Sequence, residues 1–287
     1  MNCDMPIEYD LHVHTTASDG TLSPEEVLRR AARVGLKGIA ITDHDTVGGL
    51  KPAREFLLSN PLPLELIPGI ELNTEVGSSE VHILGYFIDD SNQALLTRLN
   101  HIRESRRERA MKMVEKLANL GFDISYERVD SLAGGDLIGR PHIARALIEK
   151  GYVSSIKEAF QRYIGQGRPA YVQRYKFLPE EAVELIRAAG GLSFLAHPGL
   201  IAEPKWIGRV IAYGINGLEV YYPEHHPDQM RSYLDLVREH GLLVCGGSDF
   251  HGEGASEGRE RLACAGINQE IYYKIRSTYL DKKKIDG

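Results

Sequence analysis

Cysteine is scarce in this chain of 287 residues, which contains only Cys3, Cys245 and Cys264. The three are odd in number, far apart and outside any C-x-x-C pattern. This usage argues against a disulfide scaffold and against a thiolate zinc site, and it is typical of a reducing compartment. We therefore expect a cytoplasmic protein without structural disulfides.

Long hydrophobic runs are also missing. No apolar run approaches the roughly 18–20 residues that span a bilayer, so we expect no membrane association. Residues 1–10 carry acids and lack the basic start and apolar stretch of a signal peptide. Hydrophobic residues make up 43% and charged residues 26% of the chain, as in an ordinary globular protein. The length suits one large α/β barrel or two domains.

Basic residues are concentrated in one segment, although the chain as a whole is acidic. The formal net charge is −6, yet residues 98–176 contain 16 Lys and Arg against 9 Asp and Glu. The remainder contains 18 basic and 31 acidic residues. An acidic body with a basic middle fits a carboxylate-lined cation site combined with a region that attracts anions. The alternative is a solvated helical segment that is rich in arginine, and charge alone does not separate the two.

Strand and helix patterns alternate at both ends of the chain. They predict seven strands, over residues 7–13, 36–41, 64–70, 81–87, 192–196, 217–221 and 242–246. Most of these are separated by helical patterns, as in a parallel α/β barrel. Residues 98–176 show helices and turns instead. We therefore predict a barrel formed by residues 1–97 and 177–287, with a basic, mainly helical insertion between the fourth and fifth strands.

Two histidines stand one residue apart at the end of the first predicted strand. Side chains at positions i and i+2 of a strand point to the same face, so His12 and His14 direct two imidazoles at one point. The carboxylate of Asp19 follows within loop reach. This pattern is typical of a metal site.

Further ionisable residues follow the later strands, except His82, which stands near the start of the fourth predicted strand. The chemistry of α/β barrels lies at the carboxyl ends of the strands, so we expect these residues to converge there. A single histidine near a strand end is more often packed or solvated, and only the recurrence favours a metal site. Carboxylates and imidazoles without thiolates suit Mn²⁺, Fe²⁺ or Zn²⁺ rather than Mg²⁺ alone. The candidates exceed the needs of one ion and predict two or three ions; they are His12, His14, Asp19, His44, Glu71, His82, His197, Asp249 and His251.

These motifs resemble the PHP (polymerase and histidinol phosphatase) superfamily of metal-dependent phosphoesterases. The resemblance rests on residues 10–15, 42–45, 197–198 and 248–251, with Glu71 and His82 at the remaining ligand positions. It implies a distorted (β/α)₇ barrel that binds three metal ions. The first ion would be held by His12, His14, Glu71 and Asp249, the second by Glu71, His82 and His197, and the third by Asp19, His44 and His251.

More narrowly, the chain resembles the stand-alone PHP phosphatases that act on nucleoside 3′,5′-bisphosphates. Those enzymes carry an Arg-x-His pair in a helical insertion after the fourth strand, which Arg140 and His142 match. The resemblance implies hydrolysis of the 3′-phosphate, as in pAp, by a hydroxide held between two metal ions. Mn²⁺ is the expected metal, with Fe or Zn as alternatives.

The resemblance also assigns roles to individual residues. Glu71, Asp249, Arg140 and His142 are expected to be catalytic. We expect Arg140, His142 and Asp19 to contact the substrate. The position of His225 and His226 in a loop after a strand, rather than the resemblance, makes His225 a further substrate contact and either histidine a candidate general acid. The basic insertion would cover the site and bind the second phosphate.

Other functions fit parts of the pattern. Close relatives trim RNA from its 5′ end, so short RNA or DNA oligonucleotides stay open as substrates. Histidinol phosphatase is a nearer alternative than a C–N amidohydrolase, since no lysine stands at a strand end to bridge two ions as a carbamate. A non-catalytic nucleic-acid-binding module would bind without turnover. Nothing in the sequence indicates an obligate protein partner.

Overall fold

The computed structural model describes residues 5–77, 79–133, 138–173, 175–254 and 259–286. The chain divides into two compact units. The first unit comprises Met1–Leu96 and Phe177–Gly287, and the second comprises Thr97–Lys176.

Seven strands of the first unit form a mixed sheet that curves into a nearly closed barrel. They are β1 (Tyr9–Val13), β2 (Gly38–Ile41), β3 (Glu65–Val76), β4 (Ser79–Tyr86), β5 (Leu192–Leu195), β6 (Gly217–Tyr221) and β7 (Leu243–Gly246). The strands pair in chain order. A bridge between Val13 and Phe250, just after β7, brings the two edges of the sheet together. A side chain at Gly247 would collide with the backbone of His12, so this close approach requires glycine.

The barrel departs from the predicted parallel arrangement at β4. This strand pairs antiparallel with both β3 and β5, whereas the other neighbouring strands are parallel. The strand β3 is also longer than predicted, because it continues past residue 70 into a hairpin with β4. The start of β4 therefore lies at the same end of the barrel as the carboxyl ends of its neighbours.

Helices of the first unit follow most of the strands. They are α1 (Pro24–Val34), α2 (Leu50–Ser59), α7 (Pro179–Ala188), α8 (Lys205–Ala212), α9 (Pro227–His240) and α10 (Gln269–Asp286). The boundaries of α1 follow from its sequence, because Ser23 and Glu26 form a capping box and Gly35 ends the helix with a φ of 87°. The sequence analysis did not predict α10, in which Tyr272 stacks on Tyr9 of β1.

The second unit is helical in the part that the structure describes. It contains most of α3 (Gln93–Asn119), then α4 (Tyr126–Ala133), α5 (Arg140–Glu149) and α6 (Ile156–Ala159), which continues as a π-helix over Phe160–Ile164. Its own hydrophobic core includes Met113, Leu117, Val129, Leu147 and Ile164. The unit can therefore bury an apolar core of its own.

Across the described residues of both units, no helix is long and apolar enough to cross a membrane.

Candidate metal centre

The carboxylate of Glu71 lies at the middle of a cluster of histidines. Glu71 belongs to β3 and is completely buried. Its Oε1 lies 2.9 Å from Nδ1 of His82 and 3.0 Å from Nε2 of His197. His82 reaches this position because β4 runs in the opposite direction to its neighbours, and His197 lies two residues beyond the end of β5. One carboxylate oxygen therefore contacts imidazoles from two strands.

The other oxygen of Glu71 faces the paired histidines of β1. Glu71 Oε2 lies 3.2 Å from Nε2 of His12 and 3.3 Å from Nε2 of His14. Asp249 Oδ1 lies 3.5 Å from the same His12 nitrogen and 3.1 Å from the same His14 nitrogen. The four residues offer ligand atoms that all lie within 4.8 Å of one another. This spacing lets them coordinate a single ion.

A second group of ligand atoms surrounds Asp19, in the loop after β1. Asp19 Oδ1 lies 3.3 Å from His251 Nε2 and 3.8 Å from His14 Nδ1. Asp19 Oδ2 lies 3.9 Å from His44 Nε2. These four residues also offer atoms within 4.8 Å of one another, and Asp19 is half exposed to solvent. The second group therefore lies nearer the surface than the first.

A third group consists of His44, Glu71 and His82. His44 links it to the Asp19 group, because His44 Nδ1 lies 2.9 Å from Glu71 Oε2. His197 contacts the same Glu71 oxygen as His82. The structure thus brings all nine residues singled out in the sequence into one connected cluster, which we call the Glu71 cluster.

Several buried polar atoms of this cluster lack a hydrogen-bond partner among the described residues. They are His12 Nε2, both ring nitrogens of His14, His44 Nδ1, Glu71 Oε2 and Asp249 Oδ1. Buried polar groups without partners are rare in native proteins, because desolvation then goes uncompensated. Imidazole and carboxylate lone pairs that converge in this way fit divalent cations.

The pKa values of Glu71 and His14 are shifted so that both groups favour their charged forms. Burial opposes ionisation of Glu71, but the imidazoles of His44 and His12 outweigh it and hold the pKa of Glu71 well below its ordinary value. Burial likewise opposes protonation of His14, yet Asp249 and Glu71 raise the pKa of His14 to about 10. Divalent cations can supply the same positive charge in place of protons.

Two side chains outside the predicted site contact Oδ2 of Asp249, the oxygen that does not face the histidines. The Tyr222 hydroxyl donates to Asp249 Oδ2 at 3.0 Å, and Arg259 Nε lies 3.2 Å from the same oxygen. These contacts leave Asp249 Oδ1 directed at His12 and His14. The sequence offered little signal, because neither residue lies in a recognisable motif.

Two other buried acids fix the loops that carry the candidate ligands. Asp10 accepts hydrogen bonds from the backbone N–H of His12 and from both the N–H and the hydroxyl of Ser248. Asp43 accepts hydrogen bonds from the N–H and hydroxyl of Thr15. Both acids lie within the sequence motifs, but the motifs alone do not predict a role of this kind.

His225 occupies a different position from the one expected. Its ring is buried, Nδ1 lies 2.9 Å from the carbonyl of Val220, and Nε2 accepts a hydrogen bond from the N–H of Gly199 at 3.1 Å. Since both ring nitrogens bind backbone groups, this geometry argues against His225 as a substrate contact or general acid. It favours a structural role between β6 and the turn after β5. His226 instead caps the N-terminus of α9 and is exposed.

The predicted Arg-x-His pair lies in the second unit, at the first turn of α5. Arg140 places its guanidinium 5.0 Å from the centre of the Phe160 ring. His142 Nδ1 accepts a hydrogen bond from the N–H of Gly139 at 3.0 Å, in the manner of a helix cap. The expected catalytic and substrate-binding roles of both residues stay predictions.

Comparisons with known proteins confirm the resemblance seen in the sequence. The PHP domain family profile matches residues 10–188. The chain is 37% identical over 248 residues to the 5′-3′ exoribonuclease Rnm of Escherichia coli (strain K12), covering 85% of each chain. It is also 37% identical over 254 residues to the 3′,5′-nucleoside bisphosphate phosphatase of Chromobacterium violaceum, covering 85% of this chain and 87% of that one.

A solved structure shares the fold over nearly the whole chain. It is the crystal structure of a protein described as a metal-dependent phosphoesterase from Bifidobacterium adolescentis. The TM-score is 0.81 at 30% sequence identity, covering 96% of this chain and 97% of that one.

Proposed function

Because the chain belongs to the PHP domain family of metal-dependent phosphoesterases, we propose that it hydrolyses the 3′-phosphate of nucleoside 3′,5′-bisphosphates such as pAp. The observation that carries the hydrolytic part of this proposal is the convergence of unpartnered imidazole and carboxylate atoms on Glu71. The choice of substrate rests on the similarity to the bisphosphate phosphatase of Chromobacterium violaceum and on the basic composition of residues 98–176.

We assign the metal ligands by the resemblance to the PHP superfamily, and the contacts of Glu71 with the neighbouring imidazoles support this assignment. The first ion would be held by His12, His14, Glu71 and Asp249; the second by Glu71, His82 and His197; and the third by Asp19, His44 and His251. Mn²⁺ suits this nitrogen and oxygen donor set, as do Fe²⁺ and Zn²⁺. When bound, such ions neutralise phosphoryl oxygens and lower the pKa of a coordinated water to about 7.

The contacts among the protein side chains would hold the metal ligands in position. Glu71 directs Oε2 at His12 and His14. It directs Oε1 at His82 and His197, and would therefore fix the spacing between two of the ion positions. Asp249 can turn only one oxygen toward the cluster, because Tyr222 and Arg259 hold the other. This preorganisation favours the electrostatic catalysis on which phosphoryl transfer depends.

The substrate would be recognised by side chains of the second unit. Arg140 offers a planar, permanently charged group that can bind a phosphate through two hydrogen bonds. His142, one residue further along the first turn of α5, would assist it. Asp19 is the most exposed acid of the cluster and would face the reacting phosphate through its metal ion. We propose that this reaction takes place in the cytoplasm, in keeping with the cysteine usage.

A second candidate function is 5′-3′ exoribonuclease activity. It is favoured by an equal identity of 37% to the Rnm enzyme of Escherichia coli. The excess of basic residues in 98–176 would also suit a longer polyanion. Both functions require the same metal centre and differ in what the second unit binds.

A hydrolysis panel with Mn²⁺ distinguishes the candidates. The purified protein is incubated with pAp, a short 5′-phosphorylated RNA, histidinol phosphate and a simple aryl phosphate, and the products are separated. We expect AMP and inorganic phosphate from pAp at the highest kcat/KM. Stepwise release of mononucleotides from RNA with no turnover of pAp would favour the exoribonuclease. Metal binding without hydrolysis of any ester would contradict the proposal and point to a binding module.

A further inference from the structure

Glu219 is a buried acid outside the set of candidate metal ligands. It occupies the centre of β6 and is completely buried. Its Oε1 lies 3.0 Å from Nδ1 of His12, which belongs to β1, and its Oε2 accepts a hydrogen bond of 2.7 Å from the backbone N–H of His197. One carboxylate therefore contacts two candidate ligands that lie 185 positions apart in the sequence.

The contact with His12 has a direct consequence for the proton on that ring. Glu219 Oε1 occupies the hydrogen-bonding position of Nδ1 at 3.0 Å, so Nδ1 is the ring nitrogen that shares a proton with this carboxylate. Nε2 is then the ring nitrogen that faces Glu71 Oε2 and Asp249 Oδ1, at 3.2 and 3.5 Å. Carboxylates that fix the tautomer of a ligand histidine in this way raise its affinity for metal.

The contact of Glu219 with His197 involves the backbone N–H of His197 and not its imidazole. His197 has a φ of 24° and a ψ of 62°, a backbone conformation that side-chain-bearing residues seldom adopt. The hydrogen bond from its N–H to Glu219 stabilises this turn, and the turn directs His197 Nε2 to within 3.0 Å of Glu71 Oε1. Without the acceptor, the turn could relax and withdraw the imidazole from Glu71.

We propose that Glu219 is a positioning residue of the metal centre: it fixes the tautomer of His12 and the backbone of His197, and thereby joins two of the proposed ion positions without itself being a ligand. The inference rests on the proposed metal centre. It extends that centre by naming a group that sets metal affinity from outside the coordination sphere.

The first test is the substitution Glu219→Gln, which keeps the shape but replaces one acceptor by a donor. The amide oxygen can satisfy either His12 Nδ1 or the His197 N–H, but not both. We expect Mn²⁺ affinity, measured by calorimetry or by the electron paramagnetic resonance of free Mn²⁺, to fall by about 10- to 100-fold. The matched control is Glu65→Gln on β3, because Glu65 accepts a hydrogen bond from Tyr272 away from the cluster. It should bind Mn²⁺ like the wild type.

The second test begins with the wild-type protein, so its main result does not depend on the folding of a variant. In the Zn²⁺-loaded wild-type protein with ¹⁵N-labelled histidine, His12 should keep a proton on Nδ1 and coordinate through Nε2, which the ¹⁵N chemical shifts distinguish. In Glu219→Gln the Nδ1 proton signal should shift or exchange with water. Thermal unfolding of the metal-free variants shows whether the fold is retained.

The outcomes separate this inference from the proposed function. Wild-type protein that binds no divalent metal would overturn both. Wild-type Mn²⁺ affinity in a folded Glu219→Gln variant, or coordination of Zn²⁺ through Nδ1 of His12, would overturn the role of Glu219 alone. Weakened binding in Glu219→Gln beside unchanged binding in Glu65→Gln supports it.

Discussion

The two units of this protein handle their charges in opposite ways. In the first, carboxylates and imidazoles from distant parts of the chain are buried together around Glu71, where desolvation makes each contact strong. In the second, an excess of basic residues lies largely on the surface, in pairs such as Arg128 with Glu149 and Arg162 with Glu158. Exposed pairs of this kind contribute little to stability.

The difference suggests a division of labour between the units. Buried charges that lack other partners require a counter-charge, and they therefore indicate where a cation binds. Exposed basic residues stay solvated, and their excess positive charge attracts the phosphate groups of a ligand. Four predictions test this contrast, and they begin with the change that should have the largest effect.

The first prediction concerns Glu71, the residue common to two of the ion positions. Glu71→Ala should reduce kcat/KM by about 10³-fold or more. The substitution removes contacts to five imidazoles and the negative charge that stabilises the bound cations. Metal content, measured by elemental analysis of the purified protein, should fall in parallel. Glu65→Ala on the same strand serves as the control. Full activity with an intact metal content would rule out the bridging role of Glu71.

The second prediction concerns removal of the metal. Exhaustive chelation should lower the melting temperature by about 5–10 °C, since an ion present at 100 times its Kd contributes about 2.7 kcal/mol. Hydrogen exchange should rise in peptides from β1, β3 and the segment after β7, and stay unchanged in peptides from α4 and α5. Equal loss of protection in both units would break the proposed contrast between them.

The third prediction concerns Arg140. Arg140→Ala should lower kcat/KM for a nucleoside bisphosphate by about 10- to 100-fold, the range expected for a hydrogen bond to a charged group. The effect on a simple aryl phosphate should be small, because that substrate has no second phosphate. Arg145→Ala, on the same helix, is the matched control. An equal loss with both substrates would mean that Arg140 does not bind the second phosphate.

The fourth and smallest effect is expected for an exposed ion pair of the second unit. Arg128→Ala removes a pair with Glu149 in which both side chains are about half exposed. We expect the melting temperature to change by less than about 3 °C, with no change in metal content. A much larger shift, seen by calorimetry, would show that charge in the second unit also has a structural function.

Much of the candidate site was predictable because its residues lie at strand ends. The carboxyl ends of parallel barrel strands meet at one end of the barrel, so residues at these positions in the sequence are close together in space. His12, His14 and His251 follow this rule, as does His197. His82 did not fit, since it stands near the start of its predicted strand. The structure explains the exception: β4 runs antiparallel, so its start is at the same end of the barrel. Strand direction is set by the pairing of whole strands, so the identity of a single residue does not indicate it.

Other features could not be predicted, for different physical reasons. Glu219 lies in an apolar strand, and only its partners reveal why a charge is tolerated there. The helix α10 was missed because no helical pattern was identified beyond residue 251; only the fold shows that it packs Tyr272 on Tyr9. Both depend on contacts between residues far apart in the chain, which a local pattern does not encode.

The hairpin of β3 and β4 has a consequence for the order in which the site can assemble. Glu71 and His82 are 11 residues apart and belong to one hairpin, so their approach closes only a short loop. The contact between Asp10 and Ser248 spans 238 residues and must await closure of the whole barrel. In a folding chain, Glu71 and His82 can therefore come together long before the two ends of the barrel meet. A metal ion present during folding would encounter this pair first.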